Sequence, residues 1–257
     1  MLKPRVIPVL LIHKGGLYKT VNFGNPKYVG DPINAVRIFN EKEVDELMVI
    51  DIDASRHSKD PNYAMIANLA KECRMPLCYG GGVKTVDQIK HIIGLGVEKV
   101  AISSGAIDQK SIISEASSKV GCQSVVGVID IKRTGLLKKP EVVVLNGTVR
   151  TGLEPNTLAK QFQDSGAGEI VLNFVDRDGK MNGYDLGLTY TIRKFISTPI
   201  TVLGGAGSTD HLQELISANG IIGAAAGSLF VFKGKYKAVL INYPNPEEKE
   251  RLFRSIQ

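Results

Sequence analysis

Tryptophan is missing from this chain of 257 residues, aromatic side chains make up only 6% of it, and cysteine occurs three times. Basic residues are scattered rather than gathered into a Lys/Arg-rich run with interleaved aromatics. A nucleic acid strand would therefore find no stacking platform, and none is expected as a partner despite the net charge of +6. A phosphorylated small molecule suits such a charge better. Cys73, Cys78 and Cys122 lack the paired spacing of a zinc site, so the thiols are expected to be free, and no metal or redox cofactor is indicated. No apolar run is long enough to cross a bilayer, and the chain opens on charged Met1-Leu2-Lys3-Pro4-Arg5 rather than on a signal peptide. These absences point to a cytoplasmic protein without membrane contact.

What the sequence does contain is an ordinary globular composition, 43% hydrophobic and 23% charged, at a length typical of one large α/β domain. Eight short runs rich in Val, Ile and Leu recur: Arg5–Leu11, Glu46–Asp51, Pro76–Gly80, Glu98–Ser103, Ser124–Asp130, Glu169–Asn173, Pro199–Leu203 and Ile221–Ala226. Runs this apolar suit strands buried on both faces, as in a parallel sheet. Between most of them lie stretches of helical periodicity, among them "DPINAVRIFNEKEV", "TVDQIKHIIGLG", "NTLAKQFQDSGAG" and "STDHLQELISANG". Capping residues near their starts and glycine at several ends supply start and stop signals. Eight βα units in series predict one (β/α)8 TIM barrel over residues 1–257.

The two halves also resemble each other. "PLCYGGGVKTVDQIKHIIGLG" from Pro76 aligns without gaps to "PITVLGGAGSTDHLQELISAN" from Pro199, and the same offset places Glu46 on Glu169 and Asp53 on Asp176. Either a βα pattern has repeated by chance or the barrel is built from two similar half-barrels, about 1–122 and 123–257. The shared glycines and strand-start glutamates favour duplication.

Barrel chemistry sits at the C-terminal ends of the strands. There the sequence places Gly80-Gly81-Gly82 and Ser103-Ser104-Gly105 in the first half, and Gly204-Gly205-Ala206-Gly207 and Gly227-Ser228 in the second. Glycine serves tight turns, and it also lets backbone N–H groups approach an oxyanion at a helix N-terminus. Two such pairs in symmetric places suggest a substrate with phosphate at both ends. Carboxylates at strand ends are Asp51, Asp130 and Asp178; each could be a general acid or base, or could cap a helix or brace a loop. Asp130 is the strongest candidate, yet "VIPVLLIHKGGL" carries Leu11 where the matching "VVGVIDIKRTGL" carries Asp130. An acid–base pair across the substrate has lost one member. At the opposite face, Arg5, Glu46, Lys99 and Glu169 lie at strand starts and are either solvated charges or an interlocked plug of the barrel floor.

The segments "MLKPRVIP", "LYKTVNF", "DELMVIDIDAS", "YGGGV", "VVGVID", "GAGEIVLNFVDRDG", "GYD", "LGGAG" and "AAGSLF" occur in an order that resembles HisF, the cyclase subunit of imidazole glycerol phosphate synthase, over nearly the whole chain. The resemblance implies a barrel that takes a bisphosphorylated ribulose-type substrate and ammonia from a HisH glutaminase docked at its floor. It implies that Arg5, Glu46, Lys99 and Glu169 form a salt-bridge ring gating ammonia, that Lys19 belongs to the active-site loop, and that Leu11 and Asp130 stand at the two catalytic aspartate positions. Asn173-Phe174 and Leu203 depart from the family's small hydroxyl residues, and all the departures lie at the mouth. "PKYVGDPINA", "FNEKEVDEL" and "AAGSLFVFKGK" are similar to the HisF-like paralogues of bacterial surface-sugar biosynthesis, where a HisF/HisH-type pair supplies ammonia to a sugar amidotransferase making acetamidino sugars. Three functions follow: an ammonia-delivering subunit with little chemistry of its own, a cyclase that tolerates Leu11, or a related sugar-phosphate isomerase.

Overall fold

A computed structural model describes residues 3–57, 59–234 and 236–254; Met1 and Leu2 of the opening pentapeptide lie outside it. All eight expected strands are present as β1 (Arg5–His13), β2 (Leu47–Asp51), β3 (Leu77–Gly80), β4 (Lys99–Ile102), β5 (Val125–Thr134), β6 (Glu169–Phe174), β7 (Ile200–Leu203) and β8 (Gly223–Ala226). Each pairs in parallel with the next, and β8 pairs with β1 through Arg5 opposite Gly223, so the sheet closes. The fold is a (β/α)8 barrel, as the alternating pattern predicts.

The outer helices are α1 (Pro32–Glu41), α2 (Tyr63–Glu72), α3 (Val86–Gly94), α4 (Ile112–Val120), α5 (Pro155–Asp164), α6 (Leu186–Arg193), α7 (Thr209–Asn219) and α8 (Pro246–Phe253). Their starts have a local cause. Asp31, Asn62, Asp185, Ser208 and Asn245 each accept a backbone N–H of the first turn, and Thr85 does so within a reciprocal capping box with Gln88. Helix α5 instead begins on Pro155 after an uncapped Glu154. In both α1 and α5 the buried residues fall at i, i+3, i+4 and i+7, Pro32, Ala35, Val36 and Phe39 in one and Pro155, Leu158, Ala159 and Phe162 in the other. Those faces close an outer apolar layer against the strands. A separate inner layer fills the barrel with Ile7, Val9, Met48, Cys78, Ala101, Val126, Val128, Val171 and Ala225.

Two elements depart from the sequence reading. Neither β1 nor β5 stops at Leu11 or Asp130: β1 continues to His13 and β5 to Thr134, and each then folds back into an antiparallel hairpin over the mouth. The first hairpin uses strands Gly16–Val21 and Gly24–Gly30, the second Lys139–Val144 and Val149–Arg150. Both are rooted alike. The Asp53 carboxylate accepts the Lys14 N–H at 2.8 Å, and the Asp176 carboxylate accepts the Arg133 N–H at 2.6 Å. Lys14 and Arg133 are related by the same offset as Leu11 and Asp130, which supports the duplicated-half reading with a contact that periodicity does not reveal.

Candidate functional site

Inward-pointing residues alternate along each strand, so position in the sequence sets height in the barrel. At the floor, Arg5, Glu46, Lys99 and Glu169 come together. Arg5 Nη2 lies 2.8 Å from Glu169 Oε1, Arg5 Nη1 bonds Glu46 Oε2, and Lys99 Nζ lies 2.8 Å from a carboxylate oxygen of each glutamate. The Thr201 hydroxyl also donates to Glu169. Glu46 is 2% and Glu169 5% exposed, so these are buried charges, and the four-fold pairing is what makes their burial tolerable. Burial opposes ionisation of Glu169, but Lys99 and Arg5 override it and hold the carboxyl below its ordinary value. Burial likewise opposes the charge on Lys99, and Glu169 and Glu46 raise its pKa regardless. The solvated-charge alternative does not describe this floor.

Above the ring the interior is apolar, and above that it opens into a cavity at the mouth lined by both polar and apolar side chains. One wall is polar. Asp130 receives Asn173 Nδ2 at 2.7 Å and Ser103 Oγ at 3.0 Å, and burial pushes its carboxyl up to about 6 against those two bonds. The facing wall includes Val9, Leu11, Ile50 and Leu203, so the position matching Asp130 contributes only a methyl-ended side chain.

The other candidate acids are engaged. Asp51 lines the cavity, but its Oδ1 accepts the N–H groups of Asp53 and Ala54 at 2.9 and 3.1 Å and so caps the short helix Ile52–Arg56. Burial raises its pKa and those two bonds lower it. Asp178, expected at a strand end, instead follows a 3-10 turn after β6. There it is reached by the first hairpin: Lys19 Nζ and Thr20 Oγ1 donate to its two oxygens, the latter at 2.7 Å, and the Phe23 N–H at 3.2 Å. Lys19 and Asp178 are each 7% exposed, so this ion pair ties the hairpin to the mouth from within.

The glycine-rich loops are not equivalent. Gly81, Gly82, Ser103 and Ser104 line the cavity, as a phosphate cradle requires. In the second half only Gly227 does. Lys19 lies over it, so that a Cβ there would sit 2.6 Å from Lys19 Cε. Gly205 and Gly207 pack under the loop that carries Met181 and Gly183, and Gly204 packs against the Phe174 carbonyl. Gly205, at φ 110°, has no room for a Cβ, which would fall 2.0 Å from the Gly183 carbonyl oxygen. The Gly207 N–H is taken by His211 Nδ1 at 3.1 Å, and Ser228 is buried. Of the expected second cradle, only Gly227 therefore lines the cavity, and the Gly207 N–H is already engaged. Residues that sequence reasoning missed on the cavity wall are Thr20, Phe23, Leu145 and Asn146, all from the two hairpins. They carry no local signal beyond turn chemistry.

Residues 5–237 match the histidine biosynthesis protein family. A relative from Leptospira borgpetersenii, provisionally named imidazole glycerol phosphate synthase subunit HisF, is 56% identical over 253 residues, covering 98% of this chain and all of the relative. Relatives from Vibrio vulnificus and Pseudomonas aeruginosa, provisionally named hisF3 and hisF2 subunits of the same synthase, are 53% and 50% identical, covering 98% and 95% of this chain and 96% and 97% of their own. The chain therefore belongs to the histidine biosynthesis protein family, as a HisF-like relative of the cyclase subunit of imidazole glycerol phosphate synthase.

Proposed function

We propose that this chain docks a HisH-like glutaminase at the barrel floor and conducts ammonia through the barrel to the mouth, with little cyclase chemistry of its own. The observation that carries this reading is the contrast between the two ends. All four charges of the floor ring are present and mutually paired, whereas at the mouth Leu11 occupies the position matching Asp130, and the other lining acids, Asp51 and Asp178, are held by hydrogen bonds within the wall. Side chains of Arg5 and Lys99 are 28% and 19% exposed, so the ring is reachable from outside. Beyond it, the inner layer toward the cavity includes the small side chains of Cys78, Ala101 and Ala225. Neutral ammonia crosses such a core at modest cost; ammonium does not, because a bare charge in an apolar interior loses its hydration.

By this reading, Arg5, Glu46, Lys99 and Glu169 admit ammonia. Gly81, Gly82, Ser103, Ser104 and Gly227 offer N–H and hydroxyl groups to a phosphate of whatever is bound at the mouth. Gly204, Gly205, Gly207 and Ser228 belong to a second such cradle, of which Gly205 and Gly207 would be uncovered if the loop bearing Met181 moved. Lys19, Asp51 and Asp178 maintain the shape of the mouth, and Asp130 binds a ligand group there. The acceptor proposed is a sugar amidotransferase that converts an acetamido sugar to its amidine.

A second reading is favoured by the retention of Asp130 and the cavity: a working cyclase of histidine biosynthesis. Losing a general acid or base costs on the order of 100- to 10,000-fold in rate, which Leu11 would impose. The deciding experiment measures glutamine hydrolysis by the HisH-like subunit with and without this chain, alongside ammonium-driven turnover of the cyclase substrate by the chain alone. Stimulated hydrolysis without cyclase turnover is the expected result. Robust cyclase turnover at saturating ammonium would reverse the order of the two readings.

A further inference from the structure

The hairpin that continues from Asp130 ends in two leucines that cover nothing. From Asp130 to Thr134 the strand advances four residues, about 13 Å at the usual rise, and its pairing with Lys139–Val144 carries the tip clear of the barrel. The turn is ordered by a hydrogen bond from the Lys138 N–H to the Gly135 carbonyl, with Gly135 at φ 70° and Lys138 at φ 48°. On it Leu136 is fully exposed and Leu137 is 80% exposed. Every other described leucine is less than half exposed.

The exposed charge at the tip itself is basic. Lys138 and Lys139 are exposed, while Arg133 at the base of the turn is paired with Asp185 at 2.8 Å. The one carboxylate of the segment, Glu141, is buried and satisfied by Thr134, Arg150 and the Gly152 N–H, so it does not answer them. At the other end of the same strand, Leu145 is 41% exposed and lines the cavity. A pair of exposed leucines beside exposed lysines, on a hairpin rooted at the rim of an open site, is surface shaped for a partner rather than for water.

We propose that this hairpin is the docking prong for the enzyme that consumes the ammonia, and that this enzyme presents an apolar pocket with an acidic rim to Leu136 and Leu137. The proposal rests on the ammonia-delivery reading above. Ammonia released from an open mouth is protonated and diluted, and ammonium is no nucleophile, so delivery needs a consumer seated over the exit. The strand that holds Asp130 at the exit is the strand that extends the prong, which fixes the docked partner relative to the ammonia path. Two leucines are too little apolar area for firm attachment to a bilayer, which favours a protein pocket.

The test inserts a photo-crosslinking amino acid at Leu137 and, as control, at exposed Tyr190 on α6, in cells making the full chain, and identifies captured proteins by mass. The captured enzyme is then combined with this chain and the glutaminase, and transfer of nitrogen from 15N-amide glutamine into its product is measured for the unmodified chain and for the double variant L136D/L137D. The expected result is capture from Leu137 only. The double variant should then lose roughly 10-fold or more of its glutamine-dependent transfer, with transfer from saturating ammonium and stimulation of the glutaminase unchanged. Unimpaired transfer by the double variant overturns the docking role alone, as does capture from Leu137 of only the glutaminase or a second copy of this chain. Sedimentation of the unmodified chain, but not the variant, with phosphatidylglycerol vesicles overturns it in favour of a membrane contact. Failure of the unmodified chain to stimulate the glutaminase overturns the ammonia-delivery reading, and the prong's role with it.

Discussion

Replacing Lys99 by methionine removes one positive group from the floor ring while keeping most of the apolar stem. Its ammonium lies 2.8 Å from both Glu46 and Glu169, neither of which is more than 5% exposed. Breaking a buried pair by deleting one partner costs about 3–5 kcal/mol. Arg5 still bonds both carboxylates, and the Lys99 side chain is itself 19% exposed, so about 2–4 kcal/mol is the better expectation. At this chain length that corresponds to a fall in Tm of roughly 4–16 °C. The pH dependence gives a sharper check. Lys99 and Arg5 hold the Glu169 carboxyl below its ordinary 4.5. A carboxyl depressed in the folded state contributes stability above its unfolded value and loses that contribution as pH falls through the folded one. Lys99→Met forfeits much of this, so the gap between the two proteins is widest near neutrality and narrows below pH 4.5. Urea unfolding across that range measures it. Equal stability at neutral pH, or a gap unchanged by acid, would refute the claim that the ring holds buried, mutually dependent charges.

Asp130→Asn reverses the sign. Burial raises Asp130 from 3.8 to about 6. Its ionisation therefore weakens the fold progressively as pH rises through that window, and the asparagine variant should be more stable by about 1–3 kcal/mol above it and equal below it, by urea unfolding. Leu11→Asp should lower stability by about 1–3 kcal/mol, because the new carboxylate enters a wall shared with Ile50 and Leu203, and should push Asp130 above its present value by like-charge repulsion, followed by NMR titration. Gly205→Ala should cost more than about 3 kcal/mol or abolish the folded protein, since its Cβ falls 2.0 Å from a carbonyl oxygen at a positive φ; thermal unfolding reads this directly.

The barrel was legible because its strands are largely apolar on both faces and most of its helices announce a start. Thr85 and Ser208 are examples whose expected caps the structure contains. The ring was legible only in part: four charges at strand starts left solvated groups and a plugged floor both open, and it was the family resemblance that implied a ring. The hairpins were not legible. Past Leu11 and Asp130 the chain leaves the double-sided burial that makes a barrel strand recognisable, and "HKGGL" and "KRTGL" read as turns although extended pairing continues through His13 and Thr134. Glycine spacing likewise identified both phosphate-type loops as tight turns without revealing what lies in front of them. Lys19 over Gly227 and Met181 over Gly207 are contacts between segments that no local pattern relates.

The floor ring is a closed circuit: Arg5 touches Glu46 and Glu169, and Lys99 touches the same two from the other side. Charges that alternate in this way form an electrical quadrupole, whose potential dies away with distance far faster than that of a single ion. Cys78, directly above, still senses all four members, Glu46 and Glu169 raising its thiol and Lys99 and Arg5 lowering it, whereas Asp130 at the far end is set by burial, Asn173 and Ser103 alone. The intact ring therefore projects little field toward the mouth. Remove Lys99 or Arg5 and the cancellation fails, leaving an unbalanced negative charge beneath a low-dielectric column; remove Glu46 or Glu169 and the excess is positive. The carboxyl at the mouth would then serve as a remote voltmeter for the floor, its titration moving upward on loss of a cation and downward on loss of a carboxylate.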